Sequence, residues 1–329
     1  MTHKSPQSRS RSKMARHLLP AALCLTIGAL ASLAMGQDAN WDLLNYHLYN
    51  GFAALHGRFS QDLLAAGMQS YLNPVLDALY TALALGPLRH ALRILAAVTG
   101  LWYGMVIFLA YRLATLLSSD VRNPGVTRPA IVTVIAATML SVSGAATISQ
   151  VGTTTEELQV AVVMLAGLLV MMQGATPHPD ETWRETTSLR RVAGGGLLFG
   201  LAAGLKLTAA VYAPAALLAA MSLHSAPSSR SLRWMATGAA FVAGWLVGLT
   251  AADGWWAVML ERRFSSPTFP MFNGLFRSSL YPPASLLDGR FLPHGVLQWL
   301  FYPIFWASTP MALVSELPLR DPRLGFIRS

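Results

Sequence analysis

Long apolar runs alternate along the chain with short segments in which basic residues and turn formers gather. The first run covers residues 18–35, and others cover 94–111, 130–148, 158–172, 234–252 and 295–314. A helix of about 20 apolar residues crosses a hydrocarbon core of about 30 Å, and in lipid a helix satisfies its own backbone. The pattern therefore predicts an all-α polytopic membrane protein with about six full spans. Residues 192–223 add a helical hairpin: polar segments holding Arg190, Arg191, Arg230 and Arg233 flank them, so they cross an even number of times. Two short helices meeting near Gly204 and Lys206 satisfy that count and place Lys206 at the tip.

Charge fixes the expected orientation. Residues 1–17 carry Lys4, Arg9, Arg11, Lys13 and Arg16 and no acid, which predicts a cytoplasmic basic tail. Small residues Ala34 and Gly36 also suit a signal-peptide cleavage site, and under either reading residue 37 emerges outside. Arg112, Arg122 and Arg128 mark a cytoplasmic loop, whereas residues 150–157 hold only Glu156 and Glu157 and belong outside. Arg320, Arg323 and Arg328 make residues 315–329 a cytoplasmic tail. Residues 18–314 then form a single transmembrane domain with outer loops 37–93, 150–157 and 253–294 and the N-terminus cytoplasmic. The third of these loops, with Trp255, Trp256, Phe264, Phe269, Phe272, Phe276 and Tyr281, has the composition of a membrane interface.

Composition agrees: 53% of the 329 residues are hydrophobic and 12% charged, with mean hydropathy +0.45, so lipid-facing helices are required. The +9 net charge does not indicate nucleic acid, because the basic residues sit in loops between apolar runs. Cys24 is the single cysteine, which rules out an intrachain disulfide and a thiolate metal site.

Chemistry concentrates in residues 41–80. Asp42, Asp62 and Asp77 lie there among Asn45, Tyr46, His47, Tyr49, His56, Arg58, Gln61 and Gln69. Read as a helix, residues 42–56 place Leu44, Leu48, Phe52 and Leu55 on one stripe, with Asp42, Asn45 and Tyr49 on another side. Such a helix lies on the bilayer with its polar side outward. Residues 74–85 are expected to form a surface or re-entrant helix capped by Asn73 and Pro74, since only one full span fits between the outer loop and Arg112. Arg89 and Arg93 are the residues that argue for a crossing instead.

A basic N-terminus, one span and an outer loop with an early acid, followed by TTTEE at 153–157, GLKLTAAVYAP at 204–214 and the late segment SSPTFPMFNGLFRSSLYPPASLLDGRF, resembles the GT-C superfamily of membrane glycosyltransferases. The likeness is to bacterial members of unassigned function, covers most of residues 17–325 and implies that the membrane is a bacterial inner membrane. It implies inverting transfer of a sugar from a polyprenyl-phosphate donor to a glycan, lipid or protein acceptor outside the membrane, with the first-loop acid, here Asp42, essential. A carboxylate orients or takes the acceptor proton, and cations stabilise the departing phosphate; Lys206 and Arg58 are the candidates by topology. Asn45, Tyr46, His47, Asp62, Asp288 and Arg290 are candidate substrate contacts, and Glu156 and Glu157 candidate ligands of the acceptor or of a divalent metal. Members of the superfamily usually continue with further spans or a soluble domain, so the resemblance also implies a C-terminally shortened chain.

Plainer readings accompany each candidate. Asp42 is a good N-cap, Thr154 with Glu157 matches a capping box, and Lys206 can snorkel to the interface. His47 and His56, nine apart, have no metal-ligand spacing, and Asp288 with Arg290 suits a local ion pair in a turn. The same helices and Lys206 fit a transporter or lipid flippase, although paired interrupted halves are not evident, and an early stop fits an inactive remnant. The orientation is directly testable: a cysteine at position 42, in a Cys24→Ser background, should react with a membrane-impermeant maleimide added outside intact cells. Labelling confined to inverted vesicles would reverse the assignment.

Overall fold

The computed structural model describes residues 6–118, 131–174, 181–224, 230–284 and 292–301. The described chain is mostly helical. Three helices are long and apolar enough to cross a membrane: residues Leu18–Met35 within α1 (Pro6–Met35), all of α4 (Leu92–Ser118), and Leu232–Phe264 within α10 (Arg230–Phe264). Shorter apolar helices complete the bundle: α5 (Ile131–Val142), α7 (Glu157–Gly174) and α9 (Ala213–His224). The partner of α9 in the hairpin is α8 (Glu181–Leu205).

Several boundaries differ from those read off the sequence. The apolar run at 130–148 is broken into α5 and a short α6 (Ala145–Ser149), because Ser143 and Gly144 leave the helix and Gly144 is extended. The first limb of the hairpin is a 25-residue helix that begins inside the expected polar loop 175–191, and the second limb opens with a 3-10 segment, Leu207–Tyr212. Most consequential, α10 continues through the residues expected to open the outer loop and ends at Phe264. Trp256, Leu260 and Phe264 recur at helical spacing and pack against Tyr71 and Phe269, so burial of one face carries the helix past Asp253 and Gly254. At about 1.5 Å per residue its 35 residues are longer than a bilayer core is thick. The run at 295–314 is described only through α12 (Val296–Leu300) and Phe301; the rest of it lies outside the described residues.

Two helix pairs form the frame, α8 with α10 and α1 with α4. Gly196, Gly200 and Gly204 of α8 lie one turn apart, and a Cβ on any of them would run into α10 at Phe241, Trp245, or Leu249 and Ala252. Gly244 and Gly248 of α10 are closed in the same way by the backbone of Ala193 and Leu197. Gly28 of α1 meets Gly100 and Gly104 of α4, and Ser32 donates from Oγ to the Ala96 carbonyl at 2.6 Å across that pair. Among lipid tails no hydrophobic effect joins helices, so close packing of small residues and interhelical hydrogen bonds must do so. Met171, Val192, Phe199 and Phe241 fill the space where α7, α8 and α10 meet.

The segment between α1 and α4 folds over one end of this frame. A π-helical turn, Leu43–His47, leads into α2 (Leu48–His56); after a loop with a short extended stretch, Ala65–Met68, α3 (Val75–Ala84) packs back on α2. Asn73 Oδ1 accepts from Val75 N at 3.1 Å and opens α3, as the Asn-Pro pair predicted. Asn73 Nδ2 contacts the carbonyls of Gly204 and Ala252 at 2.9 and 3.0 Å and Asp253 Oδ1 at 3.2 Å. Trp256 donates from Nε1 to the Tyr71 carbonyl at 3.0 Å. Some aromatic residues of 253–294 thus hold this cap rather than only face an interface: Trp256, Phe264 and Phe269 are buried, while Trp255 and Phe272 stay exposed.

Gly200→Val should lower stability by about 1–3 kcal/mol, the usual cost of overpacking, because its Cβ meets backbone rather than a yielding side chain. Thermal unfolding in detergent micelles checks this. Gly57→Ala, at a glycine with open space around it but a left-handed backbone, should cost less.

Candidate functional site

The helix read from residues 42–56 is present but inverted relative to a soluble amphipathic helix. Its apolar stripe is outside, with Leu44, Phe52 and Leu55 exposed, and its polar residues Tyr46, His47 and Asn50 are buried. The π-helical turn at 43–47 explains part of this, since one wide turn rotates the following side chains relative to a uniform α-helix. Gly51 explains the rest. A Cβ there would overlap Thr81 Oγ1 and the Asp77 carbonyl, so its absence lets α2 and α3 close to backbone contact.

That approach brings His47 onto Asp77, Nδ1 to Oδ1 at 2.5 Å, with both side chains 3% exposed. Glu156, from the loop before α7, completes the cluster, and ligand atoms of the three residues lie within 4.8 Å of one another. Glu156 sits at φ +71°, a left-handed conformation that is rare for a residue with a Cβ. His47 Nε2, Glu156 Oε1 and Asn50 Oδ1 are buried and have no hydrogen-bond partner, while Asn50 Nδ2 donates to the Gln69 carbonyl at 2.9 Å. Burial, and then the nearby Asp77 carboxylate, hold the Glu156 carboxyl well above the usual carboxylate range. Burial also raises Asp77, against the opposing pull of His47. His47 hydrogen-bonds to a residue 30 positions away on another helix, a pairing that spacing along the chain does not reveal.

An open cavity of about 280 Å³ lies between the end of α1 and the loop at 148–157, and Thr155 and Glu157, the neighbours of Glu156, line it. Asp38, Asp42, Gln150, Thr153, Thr155 and Glu157 are among its lining residues. Asp42 makes no side-chain cap; Asn40 does so instead, its Oδ1 accepting from Leu43 N at 2.7 Å. Asp38 was not singled out by sequence. Its Oδ2 accepts from both the N–H and the hydroxyl of Thr154, at 2.8 and 3.0 Å, and so ties the start of the segment between α1 and α4 to the TTTEE loop. An acid just past an apolar run, beside Asn40, was the available signal.

With Thr154 engaged by Asp38 and Glu157 by Lys206, the reciprocal capping box does not form. Lys206 Nζ donates to the Thr155 carbonyl at 2.6 Å and to Glu157 Oε1 at 2.5 Å. The hairpin lysine thus stands at the tip, as expected, and is held against the cavity wall.

No family model, no curated protein and no solved structure matches the chain. The site therefore rests on its own geometry.

The remaining candidates lie elsewhere. Arg58 and Asp62 form an i,i+4 ion pair at 2.9 Å, with Tyr49 donating to Asp62 at 2.9 Å. The Arg58 bond, then the Tyr49 bond, keep the Asp62 carboxyl below its ordinary range, and burial with the Asp62 bond pushes Tyr49 up to about 12. Arg58 and Lys206 thus serve different carboxylates. Asn45 donates to its own helix at the Trp41 carbonyl, and Tyr46 is buried against the His47 ring rather than lining the cavity. His56 is exposed beside Phe52. Asp288 and Arg290 lie outside the described residues.

Gly51→Val should push α3 off α2 and part His47 from Asp77, a larger loss of stability than Phe52→Ala on the exposed stripe of the same helix. Comparing the two thermal midpoints in one detergent tests the inverted packing.

Proposed function

We propose that the protein is a membrane transferase that moves a sugar from a polyprenyl-phosphate donor to an acceptor hydroxyl at the outer face of a bacterial inner membrane. The observation that carries this reading is the cavity that holds Asp42 and Glu157 together, with Lys206 behind Glu157. Residues from the first outer segment, the TTTEE loop and the hairpin tip meet at one end of the bundle, although 116 positions separate Asp38 from Thr154. Such a convergence supports a shared outer location for those loops. Six spans and a cytoplasmic N-terminus are part of the same proposal.

In this reading Asp42 takes or orients the proton of the acceptor hydroxyl as oxygen attacks the anomeric carbon. Carboxylates suit that side of the reaction, because each accepts hydrogen bonds from sugar hydroxyls. The bond to the lipid phosphate breaks on the opposite face, which inverts the anomeric centre, and the phosphate leaves with a negative charge that needs a cation. Lys206 is the cation at this end of the site; on substrate binding its ammonium exchanges Glu157 for phosphate oxygen. The exposed stripe of α2 beside the cavity gives a lipid chain an apolar surface to lie along.

Asp42→Asn at normal protein level should cut transfer by about 10²–10⁴-fold, the range ascribed to a general base. The test is the surface glycans of a complemented deletion strain, compared by mass spectrometry with the parent. Lys206→Ala should also abolish the product, whereas Asp62→Asn, in its separate ion pair, should leave it intact. An unchanged glycan profile in the Asp42→Asn strain would remove the mechanism, and substrate uptake by reconstituted vesicles would favour a transporter.

A further inference from the structure

From the cluster of His47, Asp77 and Glu156 we infer a buried site for one divalent transition-metal cation, of the Zn²⁺ or Mn²⁺ kind, separate from the acids of the open cavity. The three residues come from the π-helical turn, α3 and the TTTEE loop, and all are buried. Their ligand atoms lie within 4.8 Å of one another, while neighbouring ligands of one such ion stand about 3–3.5 Å apart at the usual bond lengths of about 2.1 Å. Binding draws the side chains together by about 1 Å or more and parts the 2.5 Å contact of His47 with Asp77, so that both can ligate.

Charge and hydrogen bonding point the same way. Two buried carboxyls and a buried imidazole lie together, and Lys206, the cation that acts on Glu156, is hydrogen-bonded to Thr155 and Glu157. Removing carboxylates from water without a compensating cation is expensive. Asp77 and Glu156 share a side-chain hydrogen bond, yet His47 Nε2 and Glu156 Oε1 are buried with no protein partner. A divalent ion balances two carboxylates and gives the cluster the ligands it lacks. One imidazole nitrogen with two carboxylate oxygens suits a transition ion better than Mg²⁺ or Ca²⁺, which favour oxygen alone. The cation would fasten the first outer segment to the TTTEE loop, whose Thr155 and Glu157 line the cavity.

The test needs no substrate and is independent of the transferase reading. The full-length protein, purified in detergent, is stripped with EDTA, offered Zn²⁺, Mn²⁺ or Mg²⁺ in turn, and exchanged into metal-free buffer before elemental analysis. Retention of one Zn²⁺ or Mn²⁺ per chain is expected, with Mg²⁺ lost, together with a raised thermal midpoint in the retained metal. Glu156→Gln and Asp77→Asn should weaken retention by at least about tenfold, and Asp62→Asn, in the exposed pair, should not. Wild-type protein that holds no more metal than the Glu156→Gln variant overturns the site, and so does preferential retention of Mg²⁺. If Asp77→Asn fails to elute as a single species, wild type and Glu156→Gln alone decide between a metal centre and a hydrated polar cluster.

Discussion

Backbone-to-backbone contact between glycine-bearing helix faces is the constraint from which the remaining arrangement follows. In α8 and α10 the glycines face each other's main chains, and in α1 and α4 they do so again around Gly28, Gly100 and Gly104. Large side chains at those positions would hold the axes apart. Exposed leucines and valines along the outer faces, such as Leu23, Leu30, Leu246 and Val247, would be a liability in water and are neutral in lipid. Because the pairs close tightly, their ends are defined in space, and Gly204, Ala252 and Asp253 come near enough to share the amide of Asn73.

The cap is built by the opposite rule. Its polar side chains point in, toward carbonyls that helix ends and loops leave open, and its apolar side chains point out. Asn50 and Asn73 each bridge separate segments in this way, and Asp38 does so by accepting from Thr154. This arrangement suits a segment seated at a bilayer surface, where outward leucines meet lipid and inward polar groups hold one another in place. It also buries His47, since α2 cannot turn its polar face to α3 without burying whatever titratable groups lie on it.

Much of the frame was legible in the sequence, because length and hydropathy are enough to locate a lipid-facing helix. The Asn73–Pro74 start of α3 and the placement of Lys206 at the hairpin tip followed from local chemistry and from loop charge. The glycine spacing in GGGLLFGLAAG and in GWLVG, which marks the α8–α10 interface, was equally available and carried more information than hydropathy alone. The extension of α10 to Phe264 was hidden by Asp253 and Gly254, residues that end many helices; here tertiary packing of Trp256, Leu260 and Phe264 overrides them. Pairing of His47 with Asp77 could not be read at all. It depends on a π-helical turn and on one glycine, neither of which leaves a periodic trace.

Glu156 and Glu157 show how adjacent residues of one type acquire different environments. An extended or helical Glu156 would send its side chain along another path, whereas φ +71° turns the buried carboxyl into the cluster and leaves the next one facing Lys206. Holding a residue with a Cβ in that region costs on the order of 1–3 kcal/mol, so the surrounding contacts must enforce it. Asp38 does so from one side through Thr154, and Lys206 from the other through the Thr155 carbonyl. The strained residue is thus the joint between a buried cluster and an open cavity. A shift in the position of Glu156 must be taken up by the peptide it shares with Glu157, so the ion pair at the cavity wall and the buried carboxyl are mechanically one element.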